Sequence, residues 1–143
     1  MGTTYIKRID EEAEQEIVMQ WARIHYERWP ELALLHHIPN GGSRSKREGA
    51  KLKRMGVLAG VADLHMPVPH SGYHSLYIEM KAADGRLQQS QRNFLHAAAA
   101  WGNCCIACFT AEDAIAVLNK YIRDQEIENL AILKGGKITG TIK

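Results

Sequence analysis

Short apolar runs alternate with helix-spaced segments along almost the whole chain, separated by Gly, Pro and Asn, and this alternation restricts the fold more than any other feature. Residues 9–29 place Ile9, Ala13, Ile17, Trp21 and Ile24 at helical spacing and stop before Pro30, which predicts an amphipathic helix. The LALLHHI run at 32–38, closed by Pro39-Asn40-Gly41-Gly42, predicts a buried strand and a turn, with a helical extension as the alternative. Ser43 can then cap a basic helix to about Met55. VADLHMPV predicts a strand ended by Pro67 and Pro69, and SLYIEMKA alternates as a strand to about Ala82. A helix follows over 90–101, with Phe94, Leu95, Ala98 and Trp101 on one side, then a buried CCIACF strand and a helix over 111–123 capped by Thr110. The tail, LAILKGGKITGTIK, can turn back as a hairpin around Gly135-Gly136, and 127–143 is the part least constrained by pattern. The order helix, strand, basic helix, strand, strand, helix, strand, helix predicts one α/β domain over 1–143, with its core at 9–124 and a small mixed sheet flanked by helices.

Composition agrees with such a domain and excludes other classes. The 143 residues are 45% apolar and 24% charged, so the chain can bury a core and is not a disordered one. Its apolar runs are far shorter than the ~18 residues of a membrane span. The acidic start MGTTYIKRIDEEAEQ has no apolar signal core, which makes the cytoplasm the expected compartment. Cys104, Cys105 and Cys108 are too few and too close for a disulfide framework.

The net charge of +2 is a sum of opposites. Asp10, Glu11, Glu12, Glu14 and Glu16 form an acidic cluster, whereas Arg44, Lys46, Arg47, Lys51, Lys53 and Arg54 face only Glu48. A basic run of this kind suits a phosphate backbone, although many such runs are simply solvated helix faces. The more informative piece is Asp63 followed after a turn by Glu79-Met80-Lys81. Residues two apart on a strand share a face, so Glu79 and Lys81 point together. If the strand of Asp63 pairs with theirs, two carboxylates and an ammonium meet at one spot. Carboxylates are hard ligands that hold Mg²⁺ while leaving it several waters, and a bound divalent cation acidifies water and stabilises phosphoryl charge. A nearby lysine can orient that water and neutralise the transition state. By itself Glu-x-Lys usually means a surface ion pair; here it sits in an apolar strand, after Asp63 and before Gln91.

Taken together, IPNGGSRSKREGAKLKRMGV, GVLAGVADLHMPVP and LYIEMKAADGRLQQSQRNFL resemble the VRR-NUC (virus-type replication-repair nuclease) family of the PD-(D/E)XK nuclease superfamily, in its stand-alone phage and prophage form. The resemblance runs from about Glu11 to Tyr121. It implies a restriction-endonuclease-like core and a DNA nuclease with Mg²⁺ or Mn²⁺ on Asp63, Glu79 and the Met80 carbonyl, with Lys81 acting on the water. It further implies a first-helix glutamate at the metal, for which Glu12, with Gln15 on the same face, fits best and Glu11, Glu14 and Glu16 compete. Gln91 matches a family glutamine that supports the lysine or reaches a phosphate. Asn40, Ser43, Arg44, Lys46, Arg47, Lys51 and Arg54 are the expected DNA contacts. Ala62 stands where the family usually has proline, which bears on the backbone entry to Asp63. Branched DNA, four-way junctions among it, is the substrate implied, cut by a homodimer whose two-fold axis pairs the incisions. A non-catalytic nucleic-acid binder that keeps the fold is the alternative, and a protein-interaction module with a plain Glu-Lys ion pair is a weaker one.

Other features stay structural. Cys105-x-x-Cys108 lacks a second pair for zinc and falls in a buried strand, His65 is a strand histidine two residues beyond Asp63, and Trp21, Trp29 and Trp101 suit core or dimer contacts. Asn40-Gly41-Gly42 has no Gly-Lys-Ser/Thr ending and is not a P-loop.

Overall fold

A wholly apolar strand must be covered on both faces, and Cys104–Cys108, fully buried, lies in the middle of the sheet. A computed structural model describes residues 2–39 and 45–143, with 2–10 described by backbone alone. Its elements are α1 (Gly2–His25), a short 3₁₀ helix (Pro30–Leu34), β1 (His36–His37), α2 (Lys46–Arg54), β2 (Leu64–Met66), β3 (Leu76–Met80), α3 (Gln89–Ala100), β4 (Cys104–Cys108), α4 (Ala111–Ile122), β5 (Ala131–Lys134) and β6 (Lys137–Thr141). The strands form one six-stranded sheet in chain order. β1, β2 and β3 pair antiparallel, β3, β4 and β5 parallel, and β5 and β6 antiparallel, so the sheet is mixed as expected.

The parallel steps arise because α3 and α4 intervene between successive strands, returning the chain to the same end of the sheet before each new strand. One face carries Leu64, Met66, Leu76, Ile78, Met80, Cys104 and Ile106 against Val18 and Ala22 of α1 and Val117 and Leu118 of α4. The other carries Cys105 and Ala107 against Leu95 of α3, with Tyr77 and Phe94 packed alongside. Among the described residues no helix is long and apolar enough to cross a membrane.

Several expectations change. The LALLHHI segment is mostly not a strand: Pro30 opens a 3₁₀ turn that buries Leu32, and only His36 and His37 pair with β2. Proline's fixed φ suits the first helical position, which favours that turn over an extended start. α1 ends at His25, where the Arg28 and Trp29 amides both donate to the His25 carbonyl. Ser43 lies outside the described residues, and the cap of α2 is Ser45, whose hydroxyl accepts from the Glu48 amide at 3.1 Å. Trp101 is 82% exposed and not on the packed side of α3. The apolar stripe of α1 is also rotated: Ile24 is 75% exposed, and the buried residues are Val18 and Ala22. The C-terminal hairpin forms as expected, turning through Gly135 and Gly136, both at positive φ, as a two-residue turn between twisted strands requires.

Candidate active site

Pairing of β2 with β3 aligns Leu64 with Ile78 and His65 with Tyr77. Continuing that register by one residue sets Asp63 opposite Glu79, on the face that packs against α3. Asp63 sits just before β2, and its Oδ2 accepts the Met80 amide at 2.8 Å, a bond that takes the place of a strand partner. The Asp63 carbonyl accepts from the Ile38 amide and from His37 Nδ1, both at 2.8 Å, tying the site to the segment before Pro39. Ala62 is completely buried, so the position where proline is usual is packed tightly without it.

Glu79 is 2% exposed and Lys81 9% exposed, yet both are charged residue types. Lys81 Nζ stands 3.6 Å from Glu79 Oε2, and Gln91 Nε2 donates to the same oxygen at 3.1 Å. Glu79 Oε1 is buried without a hydrogen-bond donor. Burial and the adjacent Asp63 carboxylate push Glu79 up to about 9, against the pull of Lys81. Two carboxylates this close repel each other unless a proton or a cation lies between them. Gln91 has a double function, since its Oε1 also accepts the Gln88 amide at 2.9 Å and closes a capping box at the start of α3. It therefore holds Glu79, where support of Lys81 or a phosphate was expected.

The first-helix acid in reach is Glu11. Burial raises its carboxyl while Lys81 and the Ala82 amide lower it and Asp63 raises it further, so its charge is felt at the same spot. Glu12 is exposed, Gln15 half-buried, and Glu14 accepts from the Ala111 amide at 3.4 Å. The rotation of α1 explains the difference: Glu11, Val18 and Ala22 lie at helical offsets that share the inward face, and Glu12 does not.

Asp63, Glu79 and Met80 suit Mg²⁺ or Mn²⁺, because a hard cation needs only one or two carboxylates beside carbonyl and water oxygens, and Glu79 Oε1 has a free lone pair. Among the described residues no three His, Cys, Asp or Glu group as a metal cage. His65 stacks on Tyr77 at 4.1 Å between ring centres and meets the Ser75 hydroxyl at 3.1 Å; burial and then His36 push it down to about 4, so it is neutral. Cys105 and Cys108 point to opposite faces of β4, and burial raises every cysteine thiol.

Of the expected DNA contacts, Asn40, Ser43 and Arg44 lie outside the described residues. Lys46, Arg47, Lys51 and Arg54 are exposed on α2, which buries no side chain at all. The chain leaving α2 is anchored near the site at Gly60, where a Cβ would stand 2.2 Å from the Ser90 carbonyl oxygen.

The VRR-NUC domain profile matches residues 5–109, most of the chain and all of the site. The chain belongs to the VRR-NUC family. A solved structure described as a VRR_NUC domain protein is similar to this VRR-NUC chain at 26% identity and a TM-score of 0.69, over 90% of this chain and 97% of that one. No curated protein matches. The nuclease family is thus established for this VRR-NUC chain, and with it DNA as the class of substrate.

Proposed function

We propose that this VRR-NUC protein is a divalent-metal-dependent DNA endonuclease that hydrolyses phosphodiester bonds in branched DNA, four-way junctions among them. The observation that carries this is the burial of Glu79 and Lys81 beside the half-buried Asp63, with Gln91 fixing Glu79, since burying two ionisable groups next to a third costs stability and has no packing benefit to offset it.

Asp63, Glu79 and the Met80 carbonyl would hold Mg²⁺ or Mn²⁺, which supplies an acidified water and neutralises phosphoryl charge. Glu79 would hold the ion as a carboxylate, its proton passing to solvent. Lys81, held within 3.6 Å of Glu79, orients the attacking water and balances charge on the phosphorane. Gln91 keeps the Glu79 carboxylate from rotating away. Lys46, Arg47, Lys51 and Arg54 bind backbone phosphates without reading bases, because α2 offers cations and no recognition pattern. A homodimer presents two such sites related by a two-fold axis, which suits paired incisions.

The test is a panel of linear, flapped, splayed and four-way DNA with Mg²⁺, Mn²⁺ or chelator. Asp63→Ala, Glu79→Ala and Lys81→Ala should each abolish cleavage while DNA affinity at fixed salt stays close to wild type. Full activity in any of them, or salt-sensitive binding with no products under either ion, contradicts the assignment.

A further inference from the structure

Beyond Lys81, on the α3 face of the sheet, lies a cavity of about 570 Å³. Its floor is Ala107 and Ile132, Phe109 stands at one side, and Arg86 and Arg92 face it from the loop and helix that follow Lys81. Among the described residues no Asp or Glu side chain lines it. We infer that this cavity holds one unpaired nucleotide of the cleaved strand, the neighbour of the scissile phosphate, with its phosphate between Arg86 and Arg92 and its base on the Phe109 and Ile132 surface.

The walls are constructed for occupancy. Arg92 is braced by hydrogen bonds from Nη1 to the Leu87 carbonyl and from Nη2 to Gln89 Oε1, which aim the rest of its guanidinium. Arg86 is exposed and makes no hydrogen bond or ion pair to a described residue. The loop carrying it closes over the Lys81 stem, where a Cβ at Gly85 would already stand 3.5 Å from Lys81 Cδ. Lys134 pins the same loop through the Ala83 carbonyl at 2.8 Å and lies over the Phe109 ring at 5.1 Å.

The chemistry selects the ligand. Cations without acids require an anion, and an apolar floor beside an aromatic ring requires a flat apolar body; a nucleotide has both. The volume is within the range of about 300–1,000 Å³ that small-molecule sites use. Lys81 belongs to both cavity and active site, so the occupant adjoins the reacting phosphate. A base inside a duplex is stacked and paired and cannot enter without being extruded, at a cost of a few kcal/mol. A base already free at a branch enters without that cost. The cavity is therefore a source of selectivity for branched over linear DNA, and this inference rests on the nuclease reading for the identity of the strand.

The test uses DNA carrying 2-aminopurine either unpaired at a branch or fully paired, titrated with protein in chelator. The unpaired probe should change its emission on binding and the paired one should not. Arg86→Ala, and independently Thr141→Trp, which fills the cavity from its exposed rim, should weaken binding of the unpaired probe about tenfold and leave the paired duplex unaffected. An unresponsive unpaired probe, or equal loss on both DNAs in both variants, overturns the cavity assignment. Wild-type cleavage with Mg²⁺ or Mn²⁺ is scored separately. Cutting without a probe response removes the cavity and keeps the nuclease, whereas a variant-sensitive response without cutting keeps the cavity and removes the nuclease.

Discussion

Glu79 concentrates the conflict between stability and chemistry. Its carboxyl is raised from 4.5 to about 9, so between those values the folded protein keeps a proton that the unfolded chain has lost. Folding is then linked to proton uptake, and the stability of the metal-free protein should fall as pH rises through that window. Glu79→Gln keeps the shape and the Gln91 contact but cannot ionise. We expect it to flatten the pH profile in denaturant titrations, to gain about 1–2 kcal/mol at pH 8, and to lose cleavage about a hundredfold or more. A variant less stable than wild type at pH 8 would contradict this account. Because a cation binds only the deprotonated carboxylate, metal affinity by calorimetry should climb from pH 6 to pH 8, with close to one proton released per ion across that range. Glu11 provides a second residue-level contrast. Glu11→Gln should slow cleavage at least about tenfold and Glu12→Gln should leave it near wild type; the reverse result would return the role to Glu12.

Elements decide how these residues meet. Glu-x-Lys on an apolar strand was legible because strand periodicity is two, so the shared face of Glu79 and Lys81 follows from spacing alone. The role of α1 was not, because a helix rotated by one residue moves every side chain about 100°, and Ile17 and Ile24 suggested the wrong inward face. Packing against α4, the 3₁₀ turn and β3 sets that rotation. The first turn of α3 shows the same dependence. Gln91 was visible as a candidate, but its reciprocal cap with Gln88 and its bond to Glu79 need both the helix start and the neighbouring strand. Gly60 joins the α2 exit to that turn at positive φ, with no room for a Cβ. Gly60→Ala should cost about 1–3 kcal/mol of stability by chemical denaturation, and cleavage should fall with it as Gln91 shifts.

At the scale of the molecule, two polar clusters far apart in sequence hold the layers together. Asp113, buried on α4, accepts the Gly135 and Gly136 amides at 3.2 and 2.7 Å and so fastens the C-terminal hairpin. His70 bridges Glu31 at 2.7 Å and Asp124 at 3.0 Å, linking the 3₁₀ turn, the loop after β2 and the end of α4. Burial disfavours the imidazolium, but the Asp124 and Glu31 bonds outweigh it and the net displacement is upward. A raised base contributes stability that is complete below its unfolded value of 6.5 and is lost as pH passes the folded one. His70→Gln should therefore lower Tm more at pH 6 than at pH 8, a difference readable by scanning calorimetry. Equal losses at the two pH values would make His70 a packing residue.

From the sequence alone came the element order, the mixed α/β class, the C-terminal hairpin, the Asp63–Glu79–Lys81 set and the basic surface of α2, because each depends on spacing within a segment or between neighbours. The tertiary structure decided which α1 acid faces the site, that Gln91 holds Glu79, that Trp101 faces outward, and that a cation-lined cavity adjoins Lys81. Those depend on contacts between segments distant in the chain, and no local period encodes the rotation or separation of two packed elements.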